Sequence, residues 1–121
     1  MSGKSPKRKG NGFERELVNL AKDAGLDAKR AYASNGEALG HHADVDLTVE
    51  GVRIQAKRRA SIADYVQPNE HQDAVALRQD RGEALIVMRY SDWLELIGEL
   101  VWQKGPSQSE TMFPGDPRLK Q

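Results

Sequence analysis

Residues 43–59 read ADVDLTVEGVRIQAKRR, and this stretch decides the fold. Val45, Leu47 and Val49 alternate with Asp44, Asp46 and Thr48; after Glu50-Gly51, Val52, Ile54 and Ala56 alternate with Arg53, Gln55 and Lys57. A strand turns successive side chains to opposite faces. The pattern predicts two strands joined by a tight turn at Glu50-Gly51, with one apolar face. A two-residue loop sets Val49 opposite Val52, Asp46 opposite Gln55 and Asp44 opposite Lys57, with cross-strand Cβ atoms about 4.5–5.5 Å apart. Carboxylates, an amide oxygen and an ammonium then share the second face. Such a patch suits a divalent cation and an activated water. Polar residues facing water are also the ordinary condition of a one-sided sheet. What points to chemistry is the order of residue types: D-x-D opening one strand, Q-x-K closing the next, and two arginines behind it.

Outward from the hairpin, a chain of 121 residues has the length of one domain. The absence of cysteine excludes disulfides and thiolate metal sites and suits a reducing compartment. No apolar run is long enough for a membrane span or a signal peptide core, so the expected location is the cytoplasm. Eighteen Lys and Arg balance eighteen Asp and Glu, so overall charge does not announce nucleic acid. Their distribution says more. Lys4, Lys7, Arg8 and Lys9 precede the first apolar helix, and Lys57, Arg58 and Arg59 close the second strand. Local basic patches neutralise phosphates even on a neutral protein, although each run also reads as an ordinary solvated cluster. Few aromatics are present to interleave with single-stranded bases.

In chain order, residues 1–11 read as a flexible basic arm. Asn11 is an N-cap candidate for a helix over Gly12–Ala24, with Phe13, Leu17, Leu20, Ala21 and Ala24 on one face and Gly25 as its stop. Glu14, three residues after Asn11, fits the return half of a capping box. Leu26–Tyr32 is a strand candidate, and Ala33–Ala43, with Ser34, Asn35, Gly36 and Gly40, is a loop. A connector, Ser61–Val66, precedes a second helix opened by Pro68 and running to Asp80, with Ala74, Val75, Leu77 and Arg78 as its weak apolar face. Ala84–Tyr90 is a near-continuous apolar run, which predicts a strand buried on both faces. Ser91 caps a third helix with Trp93, Leu94, Leu96, Ile97, Leu100 and Val101 inward. Residues 103–121 read as a mobile tail. The order predicts an α/β fold, a central mixed β-sheet flanked by helices, within a domain of residues 12–102. His41, His42 and His71 invite a metal reading, but two adjacent loop histidines without a third ligand make a poor zinc site.

Several segments together resemble one family. Gly10-Asn11-Gly12-Phe13-Glu14-Arg15-Glu16-Leu17 is similar to an opening K-G-x-x-x-E-R-E-L. Arg30 followed by Ser34 resembles an R-x-x-x-S strand and loop. Ala43-Asp44-Val45-Asp46 resembles a P-D or G-D strand start, and Gln55-Ala56-Lys57 an E-x-K motif. In this order they resemble the archaeal-type Holliday junction resolvases of the PD-(D/E)xK nuclease superfamily, which have a restriction-endonuclease-like fold. The resemblance covers Lys9 to Arg59, and the remainder only by element order. Gln55 stands where that family has a glutamate, which removes a charge from a cation site. The motif aspartate is Asp44 or Asp46: position after the loop and separation from Arg30 and Ser34 favour Asp44, to which the resemblance leans, and the hairpin register favours Asp46.

The resemblance implies a structure-selective endonuclease in which water attacks a phosphodiester in line. Glu14, Asp44 or Asp46, the Gln55 side-chain oxygen and the Ala56 carbonyl would hold Mg²⁺, with Mn²⁺ as a substitute. Lys57 would orient the water and stabilise developing charge. Arg30 and Ser34 would meet the phosphate at the cut; Lys7, Arg8, Lys9, Arg15, Arg58 and Arg59 would bind flanking backbone. Paired cuts in branched double-stranded DNA need two sites related by a two-fold axis, hence a homodimer. The second helix, or the third with Trp93 and its leucines, is a candidate contact; the plainer role of Trp93 is packing within its own chain. Two other readings stand beside this one. The first is a nuclease of the same fold acting on flaps or duplex ends; the second is a DNA-binding module whose Gln55 marks a lost active site.

Overall fold

The computed structural model describes residues 6–31 and 42–104. It is a mixed α/β protein, with two α-helices and two antiparallel sheets among the described residues. The chain divides into two compact units, Met1–Arg58 with Ile97–Gln121, and Arg59–Leu96.

In the first unit, α1 (Pro6–Asp23) is followed by β1 (Ala28–Arg30), β2 (Leu47–Val49) and β3 (Val52–Ile54). α1 starts at Pro6 rather than Gly12, so Lys7, Arg8 and Lys9 belong to its first turns and not to a stretch ahead of it. Proline suits a first helical turn, where its missing N–H has no partner to lose. Glu14 therefore lies in mid-helix and is not half of a capping box. The buried stripe is Glu14, Leu17, Val18 and Ala21, spaced i, i+3, i+4, i+7. Leu20, expected inward, is 44% exposed, and Ala24 also faces out. A carboxylate thus occupies a core position on α1.

The stop at Gly25 is as expected and has full Schellman geometry. Gly25 has φ 83°, its N–H donates to the Lys22 carbonyl at 2.9 Å, and the Leu26 N–H donates to the Ala21 carbonyl at 3.0 Å. Leu26 and Ala21 are both buried, which supplies the motif's apolar contact. Leu26 thus ends the helix rather than starting the strand, and β1 is shorter than predicted.

The three strands lie in the order β1-β2-β3, all antiparallel, and α1 packs on β1 and β2. Val49 pairs with Val52, Thr48 with Arg53 and Leu47 with Ile54, which is the predicted register. Glu50 and Gly51 have φ 49° and 82°, as a type I′ turn requires. Glutamate is an unusual residue there, and two bonds hold it. The Glu50 N–H donates to the Asp27 carbonyl at 2.7 Å, and the Asp27 N–H donates to Glu50 Oε2 at 2.7 Å. Leu47, Thr48 and Val49 are all buried, so the sheet is closed on both faces at its middle strand.

The second unit holds a 3₁₀ turn (Asp64–Val66), β4 (Ala74–Arg78), β5 (Ala84–Met88) and the start of α2 (Tyr90–Lys104). The predicted second helix is absent: Ala74–Arg78 is a strand paired antiparallel with Ala84–Met88. Asn69 competes with the helix that Pro68 would open. Its Oδ1 accepts the His71 N–H at 2.9 Å, and its carbonyl accepts the Gln72 N–H at 3.1 Å. Such side-chain bonds two residues on favour a turn over a helix start. Among the described residues the strands make a three-stranded and a two-stranded sheet rather than the single mixed sheet expected. β5 is a strand, as expected, but Leu85 is 59% and Ile86 67% exposed, so it is not buried on both faces. α2 begins at Tyr90, next to the predicted Ser91 cap. Leu94 and Ile97 face inward as predicted, and Leu96 is half exposed. Trp93 stacks on Tyr90, with centroids 5.8 Å apart. Among the described residues no helix is long and apolar enough to cross a membrane.

Candidate metal and DNA site at the end of the three-stranded sheet

The antiparallel order brings the C-terminal ends of β1 and β3 to the N-terminal end of β2. Arg30, Leu47 and Ile54 form the last paired row. Asp46 comes next and is gripped from three directions. Its N–H donates to the Ile54 carbonyl at 2.8 Å, and its carbonyl accepts the Ala31 N–H at 2.8 Å. Its Oδ2 accepts the Ala56 N–H at 2.8 Å. The side chain thus replaces the ladder where β3 ends, between Gln55 and Lys57. Asp46 is buried, at 8% exposure.

The two aspartates are thereby separated. The Asp44 side chain is 77% exposed, and its backbone N–H donates to His42 Nδ1 at 3.0 Å. That nitrogen lies 3.5 Å from the Asp44 carboxylate.

Glu14, on α1, is buried. Among the described residues no buried side-chain nitrogen or oxygen lacks a hydrogen-bond partner. Gln55 and Lys57 are exposed just past β3; Arg15, Arg58 and Arg59 are exposed, and Arg30 is half-buried. Ser34 and the side chains of Lys7, Arg8 and Lys9 lie outside the described residues. Asp46 and Ala56 are in direct contact, and the strand register places Gln55 and Arg30 at the same sheet end.

Among the described residues, no three Asp, Glu, His or Cys side chains converge to hold a metal. The expected donor set combines the Glu14 carboxylate and that of Asp44 or Asp46 with an amide and a carbonyl oxygen. These hard oxygen donors fit Mg²⁺, which keeps several waters and takes few protein ligands.

Sequence reasoning missed two supports. One is Glu50, whose carboxylate ties the hairpin turn to the start of β1. The other is Arg89, which donates to the carbonyls of Gln72 (3.0 Å), Asn69 (2.8 Å) and Pro68 (3.4 Å) and sits 3.8 Å from Asp92. No pattern in the sequence marks either.

The protein is thus of mixed α/β class, with a buried aspartate pinned at a sheet end, Q-x-K just past β3 and a buried glutamate on the helix packed against the sheet. The sequence model of the archaeal Holliday junction resolvase (Hjc) family matches residues 5–101, and the chain belongs to that family. Membership implies nuclease activity of the resolvase kind, and the family binds branched DNA and is generally dependent on divalent metal. No curated protein and no solved structure matches the chain.

Proposed function

We propose that this protein is a Mg²⁺-dependent endonuclease that resolves four-way DNA junctions by paired, symmetric phosphodiester hydrolysis as a homodimer. The observation that carries the reading is Asp46, a buried carboxylate fixed at a strand end by the Ala56 N–H at 2.8 Å. Burial and this bond fix the carboxylate in place, as a group that must meet a cation requires. We assign the cation-binding role to Asp46, with Glu14, the Gln55 side-chain oxygen and the Ala56 carbonyl. The exposed Asp44 is left to the loop. When bound, Mg²⁺ supplies Lewis-acid stabilisation of phosphoryl oxygens and a more acidic water. Lys57 orients the attacking water and balances the charge that builds in the transition state. Arg30 and Ser34 hold the phosphate at the cut. Arg15, Arg58, Arg59 and the basic residues at the start of α1 take the flanking backbone, which gives position rather than sequence choice.

We read α1-β1-β2-β3 as the opening of a restriction-endonuclease-like core, and extend the nuclease domain expected over residues 12–102 back to Pro6, where α1 begins. The neutral Gln55 favours a second reading, a binding module without cleavage.

The test is cleavage of labelled four-way, flap and linear DNA with Mg²⁺ or with chelator. The expected result is two nicked duplexes from the junction, with Mg²⁺ only, and twice the 13.5 kDa chain mass by light scattering. Asp46→Asn abolishes cleavage and keeps DNA binding, whereas Asp44→Asn still cuts. Cleavage by Asp46→Asn at the wild-type rate would sink the assignment. Junction binding without cleavage in any metal would establish the binding module.

A further inference from the structure

The chain from Arg59 to Tyr65 is exposed at every residue, and two of its side chains are apolar and large: Ile62 is 56% and Tyr65 78% exposed. This segment is not loose. Gln67 Nε2 donates to the Ile62 carbonyl at 2.8 Å and to the Ala63 carbonyl at 3.5 Å. The Val66 N–H donates to the Ala63 carbonyl at 3.1 Å and the Gln67 N–H to the Asp64 carbonyl at 3.0 Å, closing the 3₁₀ turn. The turn's own backbone bonds are therefore satisfied while its apolar side chains stand in water. Large apolar side chains three residues apart on a hydrogen-bonded turn are available to meet a partner.

Charge identifies the partner's chemistry. Lys57, Arg58 and Arg59 stand just before the turn in the chain, and Asp64 is the one acidic residue between Arg59 and Gln67. A basic flank neutralises phosphates, an aromatic ring stacks on bases, and an aliphatic side chain wedges between base steps. We propose that the Ile62–Tyr65 turn is a wedge that enters the centre of branched DNA, where Tyr65 stacks on a base left uncovered at the strand exchange and Ile62 fills the opened step. The inference rests on the junction-nuclease reading. Unstacking costs least where the helical stack is already interrupted, as it is where strands exchange at a crossover. A wedge of this kind selects branch shape without reading any base edge, and it needs no metal.

The experiment compares a four-way junction with a linear duplex of the same sequence in chelator, so that nothing is cut. A fluorescent aminopurine stands at the crossover. The full-length chain is expected to prefer the junction and to brighten the aminopurine. Tyr65→Ala weakens junction binding about tenfold, as loss of one stacked base does, and removes the brightening. Ile62→Ala has a smaller effect in the same direction, Tyr65→Phe keeps the wild-type behaviour, and linear-duplex binding is unchanged in all three. Both positions are exposed, so neither substitution removes core packing. A double alanine variant with wild-type preference and brightening overturns the wedge while leaving the nuclease reading intact. So does a fall in molecular mass in light scattering that accompanies the lost preference, since the turn is then a contact between two copies of the chain. A wild-type protein without junction preference overturns the junction reading itself.

Discussion

Strands β2 and β5 invert what their sequences suggest. β2 is Leu47-Thr48-Val49, a polar residue between two apolar ones, and all three are buried. β5 is Ala84-Leu85-Ile86-Val87-Met88, apolar throughout, and none of its residues is buried. β2 has strands on both edges and α1 packed against it, whereas β5 has one pairing partner, β4, among the described residues. Burial follows the number of neighbours rather than hydropathy. Two-stranded hairpins are marginal alone in water. Arg89 compensates at one end, where its three carbonyl bonds tie residues 68–72, which lead into β4, to the end of β5.

The strongest way to break this comparison is to truncate both strands. Leu47 is fully buried, and Leu47→Ala is expected to cost about 2–5 kcal/mol. Ile86→Ala, at a largely exposed position, is expected to cost less than about 1 kcal/mol. Urea midpoints measure both. Equal losses would mean that β5 is covered in solution, which light scattering would then trace to a second copy.

Glycines sharpen the same point on the helices. Gly25 sits at φ 83° in the Schellman turn, so Gly25→Ala is expected to destabilise by about 1–2 kcal/mol. A Cβ at Gly98 in α2 meets nothing within 4 Å, so Gly98→Ala is expected to stabilise by about 0.5–1 kcal/mol. Thermal melts of the two variants should move in opposite directions; a common direction would contradict the cap geometry.

The smallest effect belongs to Tyr90 at the start of α2. Burial raises its pKa above the ordinary 10.0. The folded state then holds the proton longer than the unfolded state. Its contribution to stability is complete below pH 10.0 and is lost as pH rises through the folded value. Tyr90→Phe should flatten that part of the alkaline stability profile, and an unchanged profile would show that the ring ionises as freely as in the unfolded chain.

Local chemistry made part of this molecule legible from its residues alone. Two-residue periodicity and the Glu50-Gly51 turn determine the β2–β3 register, because a I′ turn admits one pairing and a slip would reverse every face. Gly25 marks the end of α1 because it can take positive φ at little cost. The Q-x-K after D-x-D and the opening helix motif carried the family. Other features depended on partners distant in the chain. The stretch at 68–80 carries a helical opening signal and a strand's apolar spacing together; the Asn69 bonds and the pairing with Ala84–Met88 decide between them. Glu14 reads as a cap in the sequence and becomes a buried group only once α1 extends back to Pro6 and packs on the sheet. Asp44 and Asp46 are two residues apart and fall on one face by alternation, so periodicity treats them alike. Tertiary structure separates them, because Ala31, Ile54 and Ala56 supply hydrogen bonds at Asp46, while Asp44 is bonded to its near neighbour His42 and its side chain remains in water.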